Sequence, residues 1–157
     1  MSRRRQAARR EQVPDPQYQS ELVTKLINMV MHCGKKSVAQ RIVYGAFDKV
    51  AKKTQNANPL EVFNKAIDNV RPKLEVRSRR VGGANYQVPV EVSHDRQVTM
   101  ALRWIIDYSA AKKGRTIMDS LAEEIVAAST GQGDSVKKRD DTHKMAQANR
   151  AFAHYRW

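Results

Sequence analysis

A chain of 157 residues with 29 Lys plus Arg against 16 Asp plus Glu has a formal net charge of +13, fits one domain with a core of its own, and projects a basic field whatever its fold. No apolar run approaches the roughly 20 residues of a membrane span, and the basic start MSRRRQAARREQ leads into no apolar stretch of the kind a secretory signal needs. Cys33 is the only cysteine, which excludes an internal disulfide, and no Cys or His cluster has zinc-finger spacing, so phosphate-rich nucleic acid is the partner class that composition favours.

The first dozen residues hold five arginines and almost nothing to bury, which predicts a flexible basic extension over 1–12, ordered only when something ties it down. Val13-Pro14-Asp15-Pro16 starts the folded part, a single domain over 13–157. From Ser20 the residues Leu22, Val23, Leu26, Ile27 and Val30 recur on one helical face, with Gly34 as the stop. A second amphipathic helix follows GKKS through Val38, Ile42, Val43, Ala46, Phe47 and Val50, with Arg41, Lys49, Lys52 and Lys53 off that stripe. Asn58-Pro59-Leu60-Glu61 has the parts of a helix start, and Val62, Phe63, Ala66, Ile67 and Val70 line a third helix that Pro72 ends.

Between Leu74 and Val92 the period changes to two. Leu74, Val76 and Ser78 alternate on one strand and Tyr86, Val88, Val90 and Val92 on the return, around turn residues Gly82-Gly83-Ala84-Asn85. Pro89 suits a two-stranded ribbon, which has only edges. A ribbon alone is marginal in water, so its apolar face is expected to pack on the helical body while the tip projects. A fourth helix runs from near Asp95 to Ala111, burying Val98, Ala101, Leu102, Ile105 and Tyr108. Thr116 caps a fifth, with Asp119 at the third position and Met118, Leu121, Ala122, Ile125 and Val126 as its stripe. The last segment, Ser135 to Trp157, reads as a helix with a thin core face anchored by Met145 and Phe152, supported by an Asp140–Lys144 pair. The fold class is therefore mainly α: about six helices, a protruding two-stranded β-hairpin arm and a basic N-terminal extension.

No enzymatic constellation emerges. Gly34-Lys35-Lys36-Ser37 has the outline of a phosphate-binding loop, but that motif needs glycine at position 29, which is Met29, and a strand before it. Gly131 and Gly133 lack the third glycine of a dinucleotide fingerprint, since position 136 is Val136. His32 and Cys33 are helical neighbours that point apart. Asp119, Glu123 and Glu124 read as a solvated acidic face, because no second carboxylate helix opposes them. No catalytic residue, metal site or cofactor is assigned.

The basic clusters point to phosphate contact: Arg3, Arg4, Arg5, Arg9 and Arg10; Lys35 and Lys36; Arg71 and Lys73; Arg77, Arg79 and Arg80; Lys112, Lys113 and Arg115; Lys137 and Lys138 beside Arg139. Arg77 and Arg79 share a strand face about 6.6 Å apart, close to the spacing of successive phosphates. The aromatic sheet of an RRM and the KH loop are absent, so recognition should follow nucleic-acid shape and backbone, with Tyr155, Arg156 and Trp157 able to stack on bases. An architectural DNA-binding protein would fit the arm and the charge, but the sequence shows no dimer interface and no homo-oligomer is expected. An RNA-modifying enzyme would need a constellation that is missing.

The segment SELVTKLINMVMHCGKKSVAQRIVYGA, Ser20 to Ala46, resembles the signature of the small-subunit ribosomal protein seven family, with the glycine-lysine-lysine step between two amphipathic helices as its distinctive part. The likeness continues through NPLEVFNKAIDNVRPKLEVRSRRVGGANYQVPVEV, ALRWIIDYSAAKKG and AFAHYRW, and so covers essentially the whole chain. It implies a helical domain with a protruding hairpin that binds the 3′ major (head) domain of 16S ribosomal RNA and starts assembly of the small-subunit head. By the same resemblance the hairpin tip, Gly82, Gly83, Ala84, Asn85 and Tyr86, and Lys144 and Arg150 on the C-terminal helix lie near messenger RNA and the tRNA exit site. Small-subunit proteins eleven and nine are the implied protein neighbours. The implied location is the cytoplasmic ribosome, or the matrix or stroma of an organelle. Functions of the longer C-terminal tail of some family members are not carried over.

Overall fold

The computed structural model describes residues 11–55 and 58–155. Arg3, Arg4, Arg5, Arg9 and Arg10, and the stacking expected of Arg156 and Trp157, lie outside the described residues. Six α-helices are built in chain order: α1 Glu21–Val30, α2 Lys36–Thr54, α3 Pro59–Val70, α4 His94–Ala111, α5 Ile117–Ser129 and α6 Asp134–Ala148. Strands β1 Leu74–Val81 and β2 Ala84–Glu91 separate α3 from α4, and a short 3-10 helix, Arg150–Tyr155, closes the chain.

The apolar stripes predicted from the sequence converge on one core, except Val38 of α2, which is 46% exposed. Val23, Leu26 and Ile27 of α1, Val43, Phe47 and Val50 of α2, Phe63 and Ile67 of α3, and Leu102 and Ile105 of α4 all pack into it, each at most 1% exposed. Phe47 is the hinge of its aromatic part, with ring centroids 5.4 Å from Phe63 and 5.1 Å from Tyr18, edge-on in the latter case. Helix α5 lies against α2, α3 and α4, and Leu121, Ala122, Ile125 and Ala128 are fully or almost fully buried. The chain before α1 is held by Asp15. This buried carboxylate accepts the backbone N–H groups of Gln17 and Tyr18 and, at 2.7 Å, the Tyr44 hydroxyl from α2.

Several expectations are corrected. Helix α1 ends at Val30 rather than running to Gly34, and α2 already begins at Lys36. Two successive left-handed residues, Cys33 (φ 51) and Gly34 (φ 72), turn the chain between them. The helix itself stops where Met31 turns extended (φ −65, ψ 128), and the left-handed pair then reverses the chain into α2. Asn58 forms no side-chain cap on α3; its amide donates instead to Glu61 Oε1 at 3.0 Å. On α4 the last buried position belongs to Ser109, whose hydroxyl donates to the Ile105 carbonyl at 2.6 Å, while Tyr108 is only half-buried.

The hairpin departs furthest from the reading. Arg77 pairs with Val88, Arg79 with Tyr86 and Val76 with Pro89. Directly opposed residues share a face, so the apolar rows of the two strands lie on opposite faces and the ribbon has no single apolar side. The turn narrows to Gly82 and Gly83, both at positive φ (55 and 90), while Ala84 and Asn85 belong to β2. Two residues at positive φ match the twist of the flanking strands, and glycine takes that conformation without a Cβ penalty. The tip residues Gly82, Gly83, Ala84 and Asn85 are exposed, as expected of a projecting arm, while Tyr86 on the return strand packs against Phe152 and Tyr155 of the 3-10 helix, at centroid distances of 5.4 and 5.1 Å.

The last segment is α6 plus that 3-10 helix rather than one helix. Its buried anchors are Ser135, Val136, Thr142 and Ala146; Met145 is 49% exposed, and Asp140 pairs with Arg139 rather than Lys144. Arg139 also donates to the Asn69 carbonyl, which ties α6 to α3.

Candidate nucleic-acid interface

Acidic residues decide which of the cations can face outward. Along the seam between α2 and α5, Lys49 pairs with Asp119 and Lys53 with Glu123, while Arg115 reaches Glu123 from the loop before α5. The solvated acidic face expected of Asp119, Glu123 and Glu124 is therefore replaced by an ion-paired one. Asp119 also accepts the Thr116 hydroxyl, and Thr116 accepts the Asp119 N–H at 3.2 Å, which completes the predicted cap. Lys49 and then Thr116 hold the Asp119 carboxyl below its ordinary range, and Lys53 does the same for Glu123.

Glu124 is fully buried. Its Oε1 accepts the N–H and hydroxyl of Ser135 at 3.0 and 2.7 Å, and its Oε2 accepts Lys112 Nζ at 2.8 Å. Burial pushes this carboxyl up, but the bonds from Lys112 and Ser135 outweigh it and the net shift is downward. A Cβ on Gly133 would stand 2.9 Å from Glu124 Oε1, so the glycine that opens α6 is what lets the chain pass so close. Lys112 is thereby engaged by the fold, whereas its neighbour Lys113 is exposed and forms no ion pair among the described residues.

Lys35 and Lys36 stand on the turn created by Cys33 and Gly34, where Lys35 N–H donates to the His32 carbonyl at 3.0 Å. Both side chains are exposed and form no ion pair among the described residues. Lys137, Lys144 and Arg150 are likewise exposed along α6 and its end, and Lys138 is half-buried; none of the four is ion-paired among the described residues. Arg71, half-buried, pairs with Asp68, and the exposed Lys73 gives its backbone N–H to His143 Nε2 at 3.0 Å.

The arm arginines divide. Arg77 pairs with Glu75, a carboxylate 5% exposed that also accepts Arg96 from α4. Arg79 donates to the Tyr155 carbonyl. Arg80, on the opposite face, is exposed and without an ion pair among the described residues. Reading the sequence missed Arg96 altogether, because a single arginine in the first turn of a helix gives no cluster signal. Glu75 was the available clue, a lone acid beside the most basic stretch of the chain.

Comparison with known proteins decides the class of such a surface. The family model described as Ribosomal protein S7p/S5e matches residues 2–150. The chain belongs to that family. It is 59% identical over all 157 residues, the full length of both chains, to the small ribosomal subunit protein uS7 of Pelotomaculum thermopropionicum (strain DSM 13744 / JCM 10971 / SI). It is also 59% identical over 155 residues, 99% of each chain, to the protein of that name from Thermotoga maritima, and 55% identical over the full length of both to that of Anaeromyxobacter sp. (strain Fw109-5). The S7p/S5e match spans the basic positions from Arg3 to Arg150 and ends before Arg156. A member of this ribosomal protein family is a structural component rather than an enzyme.

Proposed function

We propose that the chain is a structural constituent of the small ribosomal subunit that binds the 3′ major domain of 16S rRNA and nucleates assembly of the subunit head. The observation that carries this reading is full-length membership in the family together with exposed cations that form no ion pair among the described residues, Lys35, Lys36, Arg80, Lys113 and Lys137, set on several separate elements. Cations on turns, an arm and a last helix can engage phosphates of a folded RNA from several sides, and each neutralised phosphate releases counterions. The basic extension over 1–12 adds Arg3, Arg4, Arg5, Arg9 and Arg10 to that contact, the body being the domain over 13–157.

The same reading puts the hairpin tip, Gly82 to Tyr86, with Lys144 and Arg150, near messenger RNA and exit-site tRNA, and small-subunit proteins eleven and nine beside the domain. Support comes from the placement of tip and C-terminal 3-10 helix in one patch through Tyr86, Phe152 and Tyr155. The test is a titration of the purified protein, with magnesium, against a head-domain transcript and an unrelated folded RNA of equal length. Selective binding to the head transcript at physiological salt is the expected result. Equal affinity for both RNAs would reduce the chain to a general polyanion binder.

A further inference from the structure

The geometry points to a phosphate-binding fork at the junction of β1 and α4, in which Glu75 positions the guanidiniums of Arg77 and Arg96 for one stretch of RNA backbone. Glu75 is the second residue of β1, and its carboxylate is used at both ends. Oε1 accepts Nε of Arg77 at 2.6 Å, with Nη2 of the same guanidinium in ion-pair range at 2.6 Å, and Oε2 accepts Nε of Arg96 at 2.9 Å. The acid is buried, its side chain 7% exposed, whereas Arg77 and Arg96 are 47% and 52% exposed. A carboxylate facing inward thus holds two cations facing outward.

Two features separate this trio from ordinary surface pairing. First, the arginines come from different elements, one from a strand and one from the first turn of α4, so a common anchor sets two guanidiniums within the width of one carboxylate. Second, two guanidinium charges against one carboxylate leave a net positive charge at the surface, with most N–H donors of both groups still uncommitted among the described residues. Guanidiniums recognise phosphate oxygens through paired N–H donors. Arginines already locked by a second partner lose less rotamer freedom when they do so. Burial pushes the Glu75 carboxyl up, but the hydrogen bonds and charges of Arg96 and Arg77 outweigh it and hold the group below the ordinary range, so the anchor stays ionised at neutral pH.

The proposal rests on the RNA-binding reading above but makes a prediction that reading does not. Replacing Glu75 by Gln removes a negative charge and raises the net charge from +13 to +14, that is 29 minus 15. If only the basic field matters, binding tightens. If Glu75 is a positioning residue, Glu75→Gln binds RNA about 3–10-fold more weakly at low salt, because the gain in charge is smaller than the loss of two pre-set forks. The experiment measures wild type, Glu75→Gln, Arg96→Lys and Arg96→Ala on the head-domain and unrelated transcripts over a salt series, with circular dichroism as the folding control.

Arg96→Lys keeps the charge and loses the planar fork, and Arg96 is exposed enough for the variant to fold whatever becomes of Glu75→Gln. It should lose several-fold in affinity at an almost unchanged salt slope, while Arg96→Ala should lower the slope by about 1. Equal or tighter binding by a folded Glu75→Gln, or by Arg96→Lys where Glu75→Gln does not fold, overturns the fork. Failure of the wild type to prefer the head transcript overturns the ribosomal-RNA reading alone, since the ratio of variant to wild type on either RNA still decides the fork.

Discussion

The seam between α2 and α5 and the turn between α1 and α2 both carry lysines, and the fold treats them in opposite ways. At the seam Lys49, Lys53 and Arg115 face Asp119 and Glu123, and Lys112 reaches the buried Glu124. On the turn Lys35 and Lys36 stand exposed with no acid partner among the described residues. A lysine count therefore says little about where an RNA would lie; what matters is whether the fold brings an acid to each lysine. Glu75 shows a third arrangement, in which an acid retains two arginines without covering them.

The largest effect is expected at Lys112. Lys112→Ala leaves Glu124 buried without its ammonium partner, and the expected loss is about 2–3 kcal/mol, somewhat below the ~3–5 kcal/mol of a fully buried pair because the lysine is itself partly exposed. Chemical denaturation measures it; a loss below about 0.5 kcal/mol would mean that Ser135 alone satisfies the carboxylate.

Acid should act on the same group. Asp119, Glu123, Glu124 and Glu75 all have carboxyls lowered in the fold. The unfolded chain then binds more protons, so their stabilisation is present above the ordinary carboxylate range and is lost as pH falls through it and down to the folded values. Thermal melting should show a falling Tm below about pH 4.5, with a shallower fall in Glu124→Gln.

A smaller effect belongs to Tyr44. Burial first, then its hydrogen bond to Asp15, pushes the phenol up to about 12. That stabilisation is complete below the ordinary phenol range and disappears as pH rises toward the folded value. Tyr44→Phe should cost about 1 kcal/mol at neutral pH and weaken the alkaline dependence of Tm. Smallest of all, Lys49→Ala and Lys53→Ala should each lower Tm only slightly, as exposed ion pairs do.

Much of the fold was legible because helices announce their buried face. The stripes at Val23, Leu26 and Ile27, at Val43, Phe47 and Val50, and at Leu121 and Ile125 all enter the core, and the cap at Thr116 forms as its spacing indicates. The hairpin faces were not legible, since alternation gives a face for each strand but not the register between strands. Pairing Arg77 with Val88 put the apolar rows on opposite sides. The helix ends were equally hidden: Cys33 adopts the left-handed conformation one residue before the glycine expected to do so. Among candidate sites, Lys35 and Lys36 were readable as an exposed pair on a turn. The pairing of Lys112 with Glu124 was not, because it depends on how the loop before α5 folds back over that helix.

In the proposed RNA contact Lys35 and Lys36 meet phosphate, Lys49 and Lys53 hold the bundle through Asp119 and Glu123, and only at Glu75 do acid-paired arginines also face RNA. The most direct test of that division compares the salt dependence of head-domain RNA binding for Lys35→Ala/Lys36→Ala and Lys49→Ala/Lys53→Ala. The first double variant should keep its Tm and lower the slope of log K against log salt by about 1–2, and the second should lower Tm and keep the slope. The reverse pattern would contradict the account.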